Sequence, residues 1–74
     1  MNELTEKQED VLAYISVRIK EDQRPPTLEE LCQHFGWESP NSAATHLKLL
    51  EKKGAISIQK GVARGIKILD ETYR

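Results

Sequence analysis

The chain has 74 residues, of which 38% are hydrophobic and 31% charged, a length and composition typical of one small globular domain, here residues 1–74. The apolar runs are far shorter than the ~20 residues that a transmembrane helix needs, and the acidic, polar amino terminus is unlike a secretory signal. A single cysteine, Cys32, cannot form an internal disulfide, so we expect a cytoplasmic protein.

The net charge of −1 conceals an uneven distribution of charged residues. Residues 1–38 contain nine acidic and four basic residues, whereas residues 39–69 contain one acidic and six basic residues. A basic second half can present an attractive face to phosphate groups, because the local field steers association. Chance clustering on a solvated surface would give the same pattern, so charge alone leaves nucleic-acid binding open.

The first predicted helix begins at Thr5, which forms a capping-box pattern with Gln8. Apolar residues then recur at spacings of three and four along one face, namely Val11, Leu12, Ile15 and Ile19. Pro25 and Pro26 cannot continue a helical hydrogen-bond ladder, so we expect the helix to end within residues 21–26.

A second capping box, Thr27 with Glu30, starts a short second helix. Its apolar face consists of Leu28, Leu31, Cys32 and Phe35. Gly36 follows the last apolar residue and is a typical helix terminator. We therefore expect the second helix to end at Gly36.

A third helix is predicted soon after Gly36. Ser39 is a good N-cap residue, and Pro40 suits the first helical position because its missing N–H has no partner there anyway. The buried face is expected to contain Ala43, Leu47 and Leu50. The helix should end at residues 52–54, where two lysines lie at its negative end and a glycine follows.

Beyond Gly54 the apolar period changes from helical to alternating. Residues 55–59 and 66–68 alternate, and residues 60–65 between them form a loop with two glycines. This pattern predicts a β-hairpin over about residues 55–69, followed by a frayed tail at residues 70–74. The fold class is therefore mainly α with small β: a three-helix winged helix-turn-helix with a two-stranded antiparallel hairpin as the wing.

Several short stretches carry a family resemblance: Leu4-Thr5-Glu6-Lys7-Gln8, Pro25-Pro26-Thr27, Phe35-Gly36-Trp37, Ser39-Pro40-Asn41, His46-Leu47-Lys48, Lys53-Gly54 with Ile56 and Ile58, and Arg64-Gly65-Ile66. In this order they resemble the amino-terminal DNA-binding domain of the LexA-type SOS repressors. The resemblance implies a bacterial transcriptional repressor that binds double-stranded DNA. Its third helix would enter the major groove of an operator half-site, and the wing would touch the neighbouring backbone or minor groove.

The same resemblance implies a carboxy-terminal domain with a serine–lysine self-cleavage site and a dimer interface, which these residues do not contain. Because this sequence also lacks a catalytic motif, we expect neither enzyme activity nor a cofactor. Dimerisation on DNA, through elements not evident in the sequence, would let two half-sites be occupied together.

The chain departs from the family at Ala44 and Thr45, where family members often carry acidic residues. A carboxylate in the major groove can accept a hydrogen bond from the cytosine amino group, whereas alanine offers at most contact with a thymine methyl. The fold assignment survives this change, but the usual SOS operator and an SOS role do not follow from it.

The candidate base-reading residues lie in the first half of the third helix. Asn41 can pair bidentately with adenine, although a solvated or capping role is the alternative. Ser42 and Thr45 lie near Asn41 on the helix, and small hydroxyl side chains suit close approach to DNA. Ala44 lies among them. Ser39 is expected to cap the helix and could also touch a phosphate.

The candidate phosphate contacts are lysines further along the helix. Lys48 and Lys52 continue the face of Asn41, and Lys53 lies at the helix end. Arg64 in the wing is a candidate for the minor groove, since arginine is the usual residue there. Ordinary solvated surface positions are the alternative for all four, and weaker phosphate candidates are Lys60 and Lys67.

A metal site is not expected. Cys32, His34 and one distant His46 fall short of the four ligands that a zinc site needs. Cys32 is expected to fill the core, His34 to lie on the surface, and His46 to be partly buried. Trp37 should pack against the core rather than on a base.

A second hypothesis is a winged-helix module for protein–protein contact without sequence-specific DNA binding. The net charge of −1 and the acidic first half favour it slightly. It predicts binding that is insensitive to loss of Lys48 or Arg64.

Overall fold

The computed structural model describes residues 4–61 and 64–71 and contains three helices followed by a two-stranded sheet. The elements are α1 Glu6–Asp22, α2 Leu28–Phe35, α3 Pro40–Lys52, β1 Ile56–Ile58 and β2 Ile66–Ile68. β1 and β2 are antiparallel and form the wing. The predicted fold class is confirmed. None of the described helices is both long and apolar enough to cross a membrane.

Both predicted capping boxes are present. The Gln8 N–H donates to Thr5 Oγ1 at 3.1 Å, and the Thr5 N–H donates to Gln8 Oε1 at 2.9 Å. At α2, the Glu30 N–H donates to Thr27 Oγ1 at 3.2 Å, and the Thr27 N–H donates to Glu30 Oε1 at 2.8 Å. Each pair satisfies two backbone donors that a helix start would otherwise leave without a partner.

The helix ends also follow the sequence signals. α1 ends before the two prolines, and Gln23 adopts the left-handed conformation with φ 62°. Gly36 takes the same conformation after α2, with φ 73°, and its N–H donates to the Cys32 carbonyl. This conformation favours glycine, because glycine has no Cβ to clash with the backbone.

The start of α3 differs from the expectation in one respect. Ser39 occupies the N-cap position, but its side chain makes no capping hydrogen bond within the described part of the chain. Instead, the Ser39 carbonyl accepts from the Ser42 N–H at 3.0 Å and from the Cys32 thiol at 3.0 Å. Pro40 reduces the need for a side-chain cap, because it removes one of the N–H groups that a cap would satisfy.

One hydrophobic core joins the three helices to the wing. Its fully buried members include Leu12 and Ile15 of α1, Leu31 of α2 and Leu50 of α3. The wing contributes three buried isoleucines, Ile56, Ile66 and Ile68. The strand register pairs Ile56 with Ile68 and Ile58 with Ile66, so these isoleucines share the face that packs on the helices.

The ends of the wing fall partly outside the described residues. Residues 62 and 63 at the predicted hairpin tip and residues 72–74 of the predicted tail are among those not described. The start of the tail is bound to the fold, since the Leu69 N–H donates to the Ala55 carbonyl at 2.8 Å and the Asp70 N–H donates to the same oxygen at 3.2 Å. Residue 70, the first residue of the predicted tail, is therefore hydrogen-bonded to the residue before β1.

Aromatic rings from the three helices and the turn before α3 contact one another in pairs. Trp37, in the turn between α2 and α3, stacks on Phe35 with ring centroids 4.8 Å apart and on His46 with ring centroids 4.3 Å apart. His34 stacks on Tyr14 at 3.8 Å. Trp37 and His46 are half-buried and His34 is exposed, as the sequence predicts.

Candidate nucleic-acid interface

The outward side of α3 carries a polar stripe. Its members are exposed and follow one another at spacings of four, three and four; they are Asn41, Thr45, Lys48 and Lys52. The opposite side of the helix is buried in the core through Ala43, Leu47 and Leu50. A helix of 3.6 residues per turn separates these two sets cleanly, so core packing aims the stripe at solvent. We call these four residues the outer face of α3.

Two predicted site residues flank the outer face of α3. Ser42 and Ala44 are half-buried, one on each side of it. Ala44 borders a cleft of about 210 Å³ between α2, α3 and the wing. The other residues lining the cleft are mostly apolar: Leu28, Leu47, Lys48, Ile58, Gly65 and Ile66. Ala44 therefore lies where the outer face of α3 meets the wing.

Thr45 uses its hydroxyl hydrogen inside the helix. Its Oγ1 donates to the Asn41 carbonyl, one turn earlier, at 2.9 Å. A hydroxyl group has one hydrogen and two lone pairs, so in this arrangement the outward oxygen can act as an acceptor. The sequence pattern did not reveal this, because the bond depends on the χ1 rotamer of Thr45.

The three predicted phosphate-binding lysines of α3 do not lie together. Lys48 and Lys52 are exposed on the outer face of α3, whereas Lys53 is half-buried. The Lys53 ammonium donates to Gln8 Oε1 at 2.8 Å and so points towards the start of α1. Only two of the three lysines therefore share a face with Asn41.

The first eleven residues of α3 and its N-cap carry no carboxylate group, since residues 39–50 contain neither Asp nor Glu. Glu51, the single acid within α3, has its Oε2 accepting from the Ile58 N–H of β1 at 3.2 Å. That contact directs its charge towards the wing. The first turn of α3 also lacks acidic residues.

Arg64 has partners within the protein. Its Nη1 donates to the Pro25 carbonyl at 2.9 Å and to Glu30 Oε1 at 2.8 Å, and its Nη2 donates to Glu30 Oε2 at 3.3 Å. The side chain is 30% exposed. The structure therefore places the guanidinium of the predicted minor-groove residue against the start of α2.

The Arg64 contact changes the acidity of its partner. The hydrogen bond from Arg64, and then that from the Thr27 N–H, lower the pKa of Glu30 from 4.5 to about 2. Both bonds favour the charged carboxylate. The sequence around Glu30 indicates only a capping box, so its side chain is not recognisable from the sequence as a partner of Arg64. Nothing in the sequence links it to a residue 34 positions away.

Among the residues that the structure describes, no group of three His, Cys, Asp or Glu side chains is arranged to hold a metal ion. Cys32 is half-buried and unpaired with another cysteine, and its thiol donates to the Ser39 carbonyl.

Comparison of the sequence with known protein families agrees with the geometry of α3 and the wing. A family model described as "LexA DNA binding domain" matches residues 1–65. The chain belongs to the LexA DNA-binding domain family. The predicted site residues from Ser39 to Arg64 lie within the segment that matches the LexA DNA-binding domain, whereas the weaker candidate Lys67 lies beyond it.

Curated relatives of the LexA family agree with this assignment. The chain is 48% identical over 68 residues to a LexA repressor of Acidithiobacillus ferrooxidans, a match that covers 92% of this chain and 33% of the relative. It is 44% identical over 68 residues to a LexA repressor of Azoarcus sp., with 92% and 34% covered. For a LexA repressor of Halorhodospira halophila the identity is 43% over 70 residues, with 95% and 31% covered. The chain spans about a third of the length of these relatives.

Proposed function

We propose that this chain binds double-stranded DNA sequence-specifically as the operator-reading part of a bacterial transcriptional repressor. The observation that carries the proposal is the outer face of α3, an exposed stripe of one amide, one hydroxyl and two ammonium groups. A helix of this width fits the major groove of B-DNA, where each base pair presents a distinct pattern of donors and acceptors. Membership of the LexA DNA-binding domain family supports the same function.

Base reading is assigned to the residues nearest the start of α3. The exposed Asn41 amide can pair bidentately with adenine, an interaction that contributes roughly 1–3 kcal/mol of discrimination. The outward oxygen of Thr45 can accept from an exocyclic amino group, since its hydrogen is already donated to Asn41. Ser42 can make a further hydroxyl contact, and the Ala44 methyl can contact a thymine methyl.

Phosphate binding is assigned to the two exposed lysines and to the start of α3. Lys48 and Lys52 extend from the same face as Asn41 and can neutralise backbone charge on one side of the groove. Ser39, whose hydroxyl is not used for capping within the described residues, can contact a phosphate at the positive end of the helix. Lys53 and Arg64 are assigned to holding the fold, because Gln8 and Glu30 bind their charged groups.

The operator half-site should differ from one read by acidic side chains. Glu and Asp accept from the cytosine amino group, and residues 39–50 contain neither. We therefore expect a half-site in which adenine and thymine face Asn41 and Ala44. Two such half-sites, about one helical turn apart, would be bound by a dimer whose contacts lie outside α3.

Selection of duplexes from a random DNA pool tests this proposal. The chain is fused to a coiled-coil dimerisation segment, because a single domain of this size would bind weakly. The selected duplex and a scrambled duplex are then titrated at several salt concentrations. We expect a recovered two-half-site motif, and a log–log slope of affinity against salt that becomes shallower by about 0.9 for each lysine–phosphate contact removed.

Matched variants locate the binding surface. Asn41→Ala should abolish preference for the selected duplex while leaving the salt slope unchanged, and Lys48→Ala should reduce the slope. Lys20→Ala, an exposed lysine on α1, is the control and should change neither. Absence of an enriched motif and of salt-sensitive binding in the dimerised chain would refute the proposal.

A further inference from the structure

The wing is attached to the helices differently on its two sides. β1 packs along α3, and the Ile58 N–H of β1 bonds to the Glu51 carboxylate of α3. β2 packs on the core through the buried Ile66 and Ile68, and at its entrance Arg64 adds a polar attachment by bonding to both the Pro25 carbonyl and Glu30. Arg64 therefore connects the returning half of the hairpin to the segment that starts α2.

The Glu30 carboxylate accepts hydrogen bonds from both the start of α2 and Arg64. Its Oε1 accepts from the Thr27 N–H at 2.8 Å and from Arg64 Nη1 at 2.8 Å, while its Oε2 accepts from Arg64 Nη2 at 3.3 Å. One carboxylate thus closes the capping box of α2 and also binds the guanidinium through two hydrogen bonds. Such two-bond pairs fix direction as well as distance, because guanidinium and carboxylate are both planar.

We propose that Glu30 is a positioning residue for the wing, holding Arg64 so that the hairpin lies at a fixed angle to α3 for DNA contact. The proposal rests on the proposed DNA-binding function. It assigns Arg64 an indirect role in DNA binding, with the wing's contacts left to its exposed lysines, Lys60 and Lys67. An ordered wing strengthens binding because less conformational freedom is lost when DNA is engaged.

The test uses two neighbouring carboxylates. Glu30→Gln keeps an oxygen that can close the capping box, since glutamine also occupies this position in such boxes, but removes the charge that holds Arg64. Glu29→Gln removes an equal charge from the adjacent, exposed position and controls for the long-range effect on DNA. Arg64→Gln removes the other half of the contact.

A first measurement needs no DNA. The Gln59 N–H donates to the Gly65 carbonyl at 2.8 Å, next to Arg64 in the hairpin, so its hydrogen-exchange rate reports on order in the wing. Glu30→Gln and Arg64→Gln should each accelerate exchange at Gln59 by roughly two- to fivefold, as expected for loss of a partly exposed ion pair. Glu29→Gln should leave it unchanged.

A second measurement is affinity for the selected duplex at several salt concentrations. We expect Glu30→Gln and Arg64→Gln to weaken binding by a similar, roughly two- to fivefold factor with the salt slope unchanged, and the double variant to be no weaker than either single variant.

Unchanged exchange at Gln59 in Glu30→Gln would overturn the proposal. So would an Arg64→Gln variant whose salt slope falls by about 0.9 while Glu30→Gln binds normally, because Arg64 would then contact phosphate directly. If the wild-type chain selects no duplex, the DNA-binding function fails, and with it the role of the wing in DNA contact. The exchange rates still decide whether Glu30 orders the hairpin.

Discussion

The indole ring of Trp37 lies face to face with the imidazole ring of His46, with ring centroids 4.3 Å apart and ring planes inclined by 9°. Trp37 belongs to the turn before α3, and His46 lies midway along that helix. Phe35, the last residue of α2, also stacks on the indole, with ring centroids 4.8 Å apart. The three rings therefore set the angle between α2 and α3, on which the direction of the outer face of α3 depends.

Loss of the central ring should destabilise the whole domain. Replacing a well-packed Trp by Ala typically costs about 3–5 kcal/mol, and we expect Trp37→Ala to fall at the lower end because the residue is half-buried. Trp37→Phe should recover much of this loss, since a phenyl ring can still stack between Phe35 and His46. Urea denaturation followed by circular dichroism measures the free energy of unfolding. Glu38→Ala, an exposed neighbour, is the control. A cost for Trp37→Ala below about 1 kcal/mol would contradict a structural role for the stack.

The element order and most element boundaries could be predicted from the sequence because their causes are local. Thr5 and Thr27 each carry their capping partner three residues later, and Gly36 supplies the left-handed conformation that ends α2. The exposed side of α3 follows from the spacing of its apolar residues alone. These signals need no knowledge of which elements meet in the folded chain.

The partners of the charged side chains could not be predicted in the same way. Lys53 and Gln8 are 45 residues apart, and Arg64 and Glu30 are 34 residues apart. Each pair forms only because the core brings distant elements together, so from the sequence alone Lys53 and Arg64 could not be distinguished from the solvent-facing Lys52. Which of the basic residues are available to DNA is consequently a property of the tertiary structure.

The two adjacent lysines at the end of α3 should affect different properties, Lys52 the affinity for DNA and Lys53 the stability of the fold. Lys52→Ala should reduce the salt slope of DNA binding by about 0.9 with little change in the free energy of unfolding, because its ammonium group is exposed. Lys53→Ala should lower the free energy of unfolding by about 1 kcal/mol, since it removes a partly buried hydrogen bond to Gln8. Salt-dependent titration and urea denaturation of both variants provide the comparison. If both variants reduced the salt slope equally relative to the wild-type chain, Lys53 would also contact phosphate.

The stability of the domain should depend on pH through Glu30. Its pKa in the folded protein is lowered to about 2 from an ordinary value of 4.5, chiefly by the hydrogen bond from Arg64. A lowered pKa means that the charged form stabilises the folded state. The contribution is fully present above pH 4.5 and is lost as the pH falls towards 2. We expect the melting temperature of the wild-type protein to exceed that of Glu30→Gln at pH 7, and the difference to shrink below pH 4.5 and vanish near pH 2.

Thermal unfolding of both proteins across this pH range measures the difference. Glu29→Gln serves as the control, because that exposed carboxylate lies in the same helical turn but outside the Arg64 contact. A melting-temperature difference that stays constant down to pH 2 would show that Glu30→Gln acts through something other than the charge of the carboxylate.

A change at Ala44 should alter the sequence that the chain selects. The methyl of Ala44 lies beside the outer face of α3 at the cleft between α3 and the wing, and it offers no hydrogen-bond acceptor. Ala44→Glu would introduce a carboxylate that can accept from a cytosine amino group in the major groove. We expect one position of the selected half-site to change to cytosine, with discrimination of about 1–3 kcal/mol, while the preference for adenine opposite Asn41 is retained.

Selection from the same random pool with both proteins gives the result directly, and Ala44→Gln, which is uncharged but similar in size to Ala44→Glu, tests whether the carboxylate is responsible. If Ala44→Glu selected the wild-type motif unchanged, residue 44 would lie outside the base-reading surface, and the placement of α3 in the groove would have to be rotated towards Ser42.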